Sequence, residues 1–424
     1  MPIELEPNTP FLSSLLHKGD RVVWAQGTAE PTSLSQALIT EAPELGGVSA
    51  FVGTCFSSTL ERAGSDHVSF SSFGAVGSLR KLAARGRLDI IPCHASQVGS
   101  YIRDGLIGCD VAFIQLSEPG PDGRHSLGLV NDYIRDAMAV ARIVIAEIND
   151  QVPWTYGNAL AKEDGIDAIL RVSRPPIEVP GGKPNEIDAA IGRHTAAFIE
   201  DGATLQLGVG SLPDAVLGAL SDRRDLAIHS GVIGDAVIDL VERGVITNGL
   251  KPIDTGISTT GTVFGTSRLY RFIDRNPAFA VMPSSYLYAD STLARLPQLV
   301  SINSALEVDL TGQVGAEHTA EGFVGTIGGQ PDFVRAAQRS SRGHSIIAMR
   351  STAGGGTLSR ITHRLSGSVT THRADVDIVI TEFGVAELKG QTIAERARRL
   401  IAIAHPDFHE TLDRETHRLL SRRY

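Results

Sequence analysis

Ala203-Thr204-Leu205-Gln206-Leu207-Gly208-Val209-Gly210-Ser211-Leu212-Pro213-Asp214 is the stretch whose reading decides the fold. Ala203 to Leu207 reads as a short strand. Gly208-Val209-Gly210 is its exit turn, where a missing Cβ lets backbone approach a neighbour or a ligand closely. Ser211, with Asp214 three residues on, predicts a helix start, and Pro213 suits a first turn. Upstream, Glu186 to Glu200 carries Ile187, Ile191 and Phe198 at helical spacing. Downstream, Leu226 to His229 reads as the next strand. Gly234 to Arg243 reads as a helix that Gly244 ends. This alternation predicts α/β architecture with mainly parallel strands. It places Gly210 and Gly231 just past the carboxyl ends of strands, where open α/β sheets bind ligands.

The same alternation extends towards the N-terminus. Asp20 to Trp24, Asp89 to Pro92, Val111 to Leu116 and Arg142 to Ile148 read as strands, and Leu34 to Ile39 as part of a helix. A chain of 424 residues is long for one core. Pro175-Pro176 and Pro180-Gly181-Gly182-Lys183-Pro184 exclude regular structure and mark a linker. The expected organisation is an N-terminal α/β domain over 1–184 and a C-terminal one over 185–424. The Arg-rich end, Glu395 to Tyr424, reads as a helix with a solvated face; a dimer contact or a phosphate dock is the sharper alternative.

Composition excludes several classes. Charged residues make up 21% and the net charge is −9, which argues against a general nucleic-acid binder. The three cysteines, Cys55, Cys93 and Cys109, form no CxxC pair, so neither a disulfide scaffold nor a zinc site is expected. The first residues lack a basic-then-apolar signal pattern, and no apolar run is long enough to span a bilayer. The expectation is a cytoplasmic protein without a membrane segment. No P-loop lysine motif, GxSxG elbow or HExxH helix is present, so metal and ATP chemistry lack support. Gly208-Val209-Gly210, Gly328-Gly329-Gln330 and Gly354-Gly355-Gly356, each taken alone, are accounted for by tight turns.

Together these motifs carry more. Leu205 to Leu217, Ser301-Ile302-Asn303-Ser304-Ala305-Leu306-Glu307 continuing to Val314, Gly328-Gly329-Gln330-Pro331-Asp332-Phe333, and Ser351 to Gly356 with Ser359-Arg360 resemble the acetyl-CoA hydrolase/transferase family. Thr381-Glu382-Phe383-Gly384 continuing to Gly390, with Ala404-His405-Pro406-Asp407-Phe408, is similar to the same family. Gly86 to Pro92 and Asp110 to Gln115 match it more loosely. The resemblance implies two CoA-transferase-like open α/β domains enclosing an acyl-CoA site. It implies no cofactor beyond the coenzyme A thioester substrate, and a homo-oligomer, commonly a homodimer. In this family a Glu attacks the thioester, and the intermediate passes through an acyl anhydride to a glutamyl-CoA thioester.

In Ile228-His229-Ser230-Gly231-Val232-Ile233-Gly234-Asp235, Gly231 stands where the resemblance implies that Glu. The resemblance assigns oxyanion-holding N–H groups to Val209 and to Gly328 or Gly329. It assigns acyl-CoA contacts to Gly208, Gly210, Gln330, Gly354 and Gly355, and polar positions near the reacting centre to Asn303 and Glu382. With no carboxylate at 231, Glu307, Glu382 and His229 are the candidate bases for an attacking water. The expected activity is hydrolysis of, or CoA transfer from, a short-chain or carboxylated acyl-CoA. Decarboxylation or carbon–carbon cleavage in the same pocket, and a non-catalytic CoA-ester binder, are the alternatives. Met282, Tyr286 and Tyr288 are candidate walls for the acyl group.

Overall fold

The computed structural model describes residues 2–7, 10–61, 67–120, 122–160 and 165–421. The chain divides into two compact units: Met1–Pro180 with Thr259–Ala289, and Gly181–Ser258 with Asp290–Tyr424. The division drawn from the sequence differs from this at Thr259–Ala289. Within that segment Thr262 bridges Val130 and Ala280 bridges Tyr156, both in the first unit. The Asn131 amide also donates to the Val281 carbonyl at 3.1 Å. Pairings of such long range leave no local mark in the sequence. Met282, Tyr286 and Tyr288 accordingly lie in the first unit.

The first unit is built on a parallel sheet. Its order is Ile3–Glu4, Ala168–Val172, Ile143–Asn149, Val111–Leu116, Arg21–Trp24, Val48–Val52, Val68–Ser72, Leu88–Ile90. Val111–Leu116 is buried along its whole length, as expected of a parallel strand covered on both faces. Val22, Trp24, Leu34, Leu38, Val52, Phe70 and Phe113 form the centre of this core.

In the second unit the strand order is Ala227–Ile233, Thr204–Gln206, Leu299–Asn303, His344–Ala348, Ile378–Thr381, Gly384–Glu387. The first four pairings are parallel and the last is antiparallel. Val308, Val334, Ile347, Met349, Val379 and Leu400 lie in one apolar core of this unit. Two expectations are corrected here. The strand read as ending at His229 continues to Ile233, because Val232 and Ile233 are good strand formers. Gly231 therefore lies inside a strand, not after it. The helix expected to start at Ser211 does start there, with Gly210 as its N-cap at φ +121°, so the Ser211 side chain does not cap it. The Ser211 hydroxyl is bonded to the Asp188 carboxylate instead. The Arg-rich end is two helices, Ile393–Ala402 and His409–Ser421, separated at Pro406; Arg422–Tyr424 fall outside the described residues. Arg398 and Arg399 pair with Glu395, and Arg418 pairs with Glu415, as on a solvated face.

No helix among the described residues is long and apolar enough to cross a membrane. All three cysteines are buried thiols outside any disulfide.

Candidate functional site

Register fixes the site. Thr204 pairs with Ala227 and Leu205 with Ile228. Leu299, Val300 and Ser301 pair with Thr204, Leu205 and Gln206. Continued at the same offset, Gly208 falls opposite both Gly231 and Asn303. One residue earlier, the Ser230 hydroxyl clasps the two strands together. It accepts from the Leu207 N–H at 3.0 Å, and its one proton is shared between the Val232 carbonyl at 2.8 Å and the Leu207 carbonyl at 3.0 Å. Gly231, Gly208 and Asn303 thus form one row across three neighbouring parallel strands at their carboxyl ends. Chain order runs outward in opposite directions from the Thr204–Gln206 and Leu299–Asn303 strands. The row therefore sits at the topological switch point, where the helices that follow the strands diverge and leave a crevice.

Residues two apart on a strand share a face, so His229 and Gly231 point the same way. The His229 ring is fully buried and meets Phe333 edge-on, ring centres 6.4 Å apart. Phe333 lies in the Gln330–Arg339 helix. That helix connects two parallel strands, Leu299–Asn303 and His344–Ala348, and so runs antiparallel to them. Moving from His229 to Gly231 advances about 6.6 Å. This matches about four residues back along the helix, from Phe333 to Gly329. The position without a side chain is therefore level with the helix N-terminus.

The N–H groups at this terminus differ. The Gly328 N–H donates to the Thr326 hydroxyl at 3.2 Å. Among the described residues, the Gly329 and Val209 N–H groups make no hydrogen bond. Of the two glycine donors implied at 328 and 329, the structure leaves Gly329 open. Gln330 opens the helix, is 8% exposed, and its side-chain NH₂ has no partner. A donor so placed on the positive end of a helix suits an oxygen ligand. Gly208 and Gly210 flank Val209; a Cβ on Gly210 would meet nothing within 4 Å, but φ +121° strains any other residue there.

Asn303 is fixed by residues that the motifs did not single out. Its amide donates to Gln206 at 3.1 Å and to Ser301 at 2.9 Å, and the Ser301 hydroxyl donates to Gln206 at 2.7 Å. The signal was present in the alternation of polar Gln206, Ser301 and Asn303 with apolar neighbours.

The two candidate carboxylates are placed differently. Glu307 accepts from the Ser366 N–H at 2.7 Å and its hydroxyl at 2.8 Å. It belongs to a separate three-stranded sheet, so the structure does not bring it into the row. Glu382 follows the Ile378–Thr381 strand and accepts from the Ser351 N–H at 2.9 Å and its hydroxyl at 2.7 Å. Both oxygens of each carboxylate are thus engaged. Around Glu382 lie two arginines. Arg350 grips Asp188 with two bonds, 2.9 and 2.8 Å, and this partner raises its pKa. Arg360 is lowered, by burial first and then by Arg350. Gly354 and Gly355 form an exposed turn between Thr352–Ala353 and Leu358–Ser359, outside the row. No group of three or more His, Cys, Asp or Glu among the described residues is placed to hold a metal ion.

Comparison with known proteins points to one family. Residues 10–171 match the acetyl-CoA hydrolase/transferase N-terminal domain, and residues 265–416 match the C-terminal domain. The chain is 40% identical over 410 residues to the 4-hydroxybutyrate coenzyme A transferase of Clostridium kluyveri, covering 95% of each. It is 34% identical to the succinyl-CoA:cyclohexane-1-carboxylate CoA transferase of Geobacter metallireducens, over 96% of this chain and 94% of that one. The crystal structure of RipA from Yersinia pestis matches with a TM-score of 0.90 and 33% identity, over 99% of this chain and 98% of that one.

Proposed function

Because the chain belongs to the acetyl-CoA hydrolase/transferase family, we propose that it hydrolyses a short-chain or carboxylated acyl-CoA without a covalent intermediate at position 231. The observation that carries this reading is the row Gly231–Gly208–Asn303, level with the N-terminus of the Gln330–Arg339 helix. The Val209 and Gly329 N–H groups polarise the thioester oxygen, a preorganised arrangement that needs no reorientation as charge develops. Water takes the volume beside Gly231, and the Asn303 side chain orients it. His229 is the base, because it alone among the candidates shares the strand and face of Gly231. Water oxygen bonds to the acyl carbon and gives its proton to His229. The tetrahedral intermediate then expels the CoA thiolate, which takes the proton back. The products are the free acid and CoA.

The transferase names of the relatives favour a second reading, in which an acceptor carboxylate occupies the place of the water. Incubation with a panel of acyl-CoA thioesters, with and without acetate, separates the two. Thiol release without acetate is the expected result. Acyl exchange that requires acetate would replace hydrolysis by transfer, and CO₂ release with the thioester intact would replace both. Binding without turnover would reduce the protein to a CoA-ester binder.

A further inference from the structure

Gln330 opens the helix whose start is level with Gly231, and its buried side-chain NH₂ meets no acceptor. Gln330, Phe333, Val334 and Ala337 are buried and recur at the three- and four-residue spacing of one helix face. That face packs on the sheet. Phe333 meets His229, and Val334 shares a core with Ile347. One turn back from Phe333, Gln330 lies about 4.5 Å nearer the carboxyl ends of the strands. Gly231 lies about 6.6 Å beyond His229 in the same direction. A helical side chain leans towards the N-terminus of its helix, which carries the Gln330 amide over the remaining distance of about 2 Å. The NH₂ is thus set beside the one residue of that strand face that has no side chain to offer it.

The donor itself says what it takes. An amide NH₂ offers hydrogens and accepts nothing. Having no partner, it turns towards a ligand without giving up a hydrogen bond. It stands on the positive end of a helix of 10 residues. The neighbouring Gly329 N–H makes no hydrogen bond among the described residues, and open N–H groups at a helix terminus favour an anion. A carboxylate only accepts, and it brings the charge. Neither candidate carboxylate of the chain supplies it: Glu307 lies in a separate sheet, and both Glu382 oxygens accept from Ser351. The room is that of a side chain, since what Gly231 lacks beside Gln330 is one carboxyl group and its stem.

Resting on the reading that Gly231 stands at the place of the family's glutamate, we propose that the chain binds a small free carboxylate anion there. The Gln330 NH₂ holds it in the position of a side-chain carboxyl group, apart from the acyl group of the thioester. Formate is the probe, and carbon-13 line broadening at constant ionic strength reads its binding to the full chain. Wild type should bind formate saturably with Kd of about 1 mM, near the ceiling for three non-hydrogen atoms. Formamide, of the same shape without the charge, should not bind. Gly231→Glu should abolish formate binding, because its own carboxylate takes the place. Gln330→Glu should abolish it by like charge, and Gln330→Leu should weaken it by about 10-fold or more, as for a lost hydrogen bond to a charged group. Thermal melts identify the variants that keep the fold. Absence of saturable binding to wild type, equal binding of formamide, or formate affinity surviving in folded Gly231→Glu or in either folded Gln330 variant overturns the proposal. Binding needs no thioester, so its outcome is separate from that of the hydrolase reading. Formate binding in a chain that cleaves no acyl-CoA leaves the site and removes the hydrolase; cleavage without formate binding does the reverse. Where cleavage occurs, formate should lower kcat and leave KM for the thioester unchanged, since it takes the place of the water. A rise in KM alone would put formate in the acyl pocket and overturn the placement.

Discussion

The two units carry sheets of the same kind, yet finish their switch points in opposite ways. In the first unit the switch lies between Arg21–Trp24 and Val111–Leu116, and side chains fill the space beyond Trp24. Gln26 donates to buried Asp132. The Tyr133 hydroxyl donates to the Trp24 carbonyl and accepts from the Gly53 N–H, both at 3.0 Å. Nearby, buried Glu30 collects the Ser35 and Ser57 hydroxyls at 2.7 and 2.9 Å. In the second unit the same edge is lined by glycine and open backbone, at Gly208, Val209, Gly231 and Gly329. The first edge is lined by polar side chains, of which Trp24 Nε1 and Gln26 Oε1 have no hydrogen-bond partner, whereas the second presents backbone at a helix terminus. The proposed function rests on the second of these two edges.

The largest effect expected from that contrast is on rate. Val209→Pro removes the N–H assigned to the oxyanion, and kcat should fall by about 10²–10³, as for loss of one oxyanion donor. Unchanged turnover in a folded variant would move the oxyanion site elsewhere.

A smaller effect tests the filled edge. Burial pushes the Asp132 carboxyl up to about 7, against the opposing hydrogen bond from Gln26. A raised carboxyl pKa means that the folded state holds its proton more tightly than the unfolded chain, so stability falls as pH rises from about 4 through 7. Between pH 5.5 and 7, wild type should lose about 2 kcal/mol relative to Asp132→Asn, at 1.36 kcal/mol per unit. Chemical denaturation at the two pH values measures it; parallel pH profiles would place the Asp132 proton outside the folding equilibrium. Turnover should change less than in Val209→Pro, because this network belongs to the filled edge.

The smallest effect concerns support of the open edge. Lys251 is fully buried, and its ammonium donates to the Ile228 carbonyl at 2.9 Å and the Ile257 carbonyl at 2.5 Å. Burial lowers its pKa to about 8. Its share of stability should therefore rise with pH between about 8 and 10.5, where the unfolded chain holds the extra proton. Lys251→Met should cost about 1 kcal/mol through the lost bonds, and should remove that rise in denaturant titrations at pH 7.5 and 9.5.

How far the sequence revealed this arrangement depends on the range of the interactions involved. Val111–Leu116 was readable to the residue because a covered parallel strand is nearly continuous in apolar residues, with only Gln115 interrupting it. The strand–turn–helix at Thr204–Gly218 was readable because glycine and proline punctuate it. Thr259–Ala289 was not, since its place depends on partners more than a hundred residues away. At the site, Val209, Gly329 and Asn303 could be named through the resemblance. The register that aligns Gly231 with Gly208 could not be read, nor could the Thr326 hydroxyl that occupies the Gly328 N–H.

The central claim is that the attacking group at the Gly231 position is not part of the protein. Intact-protein mass spectrometry after brief incubation with an acyl-CoA tests it directly, on wild type beside Gly231→Glu. The account predicts an unmodified wild-type mass during turnover, with a CoA adduct appearing only in Gly231→Glu. A CoA or acyl adduct on the wild-type chain would contradict it.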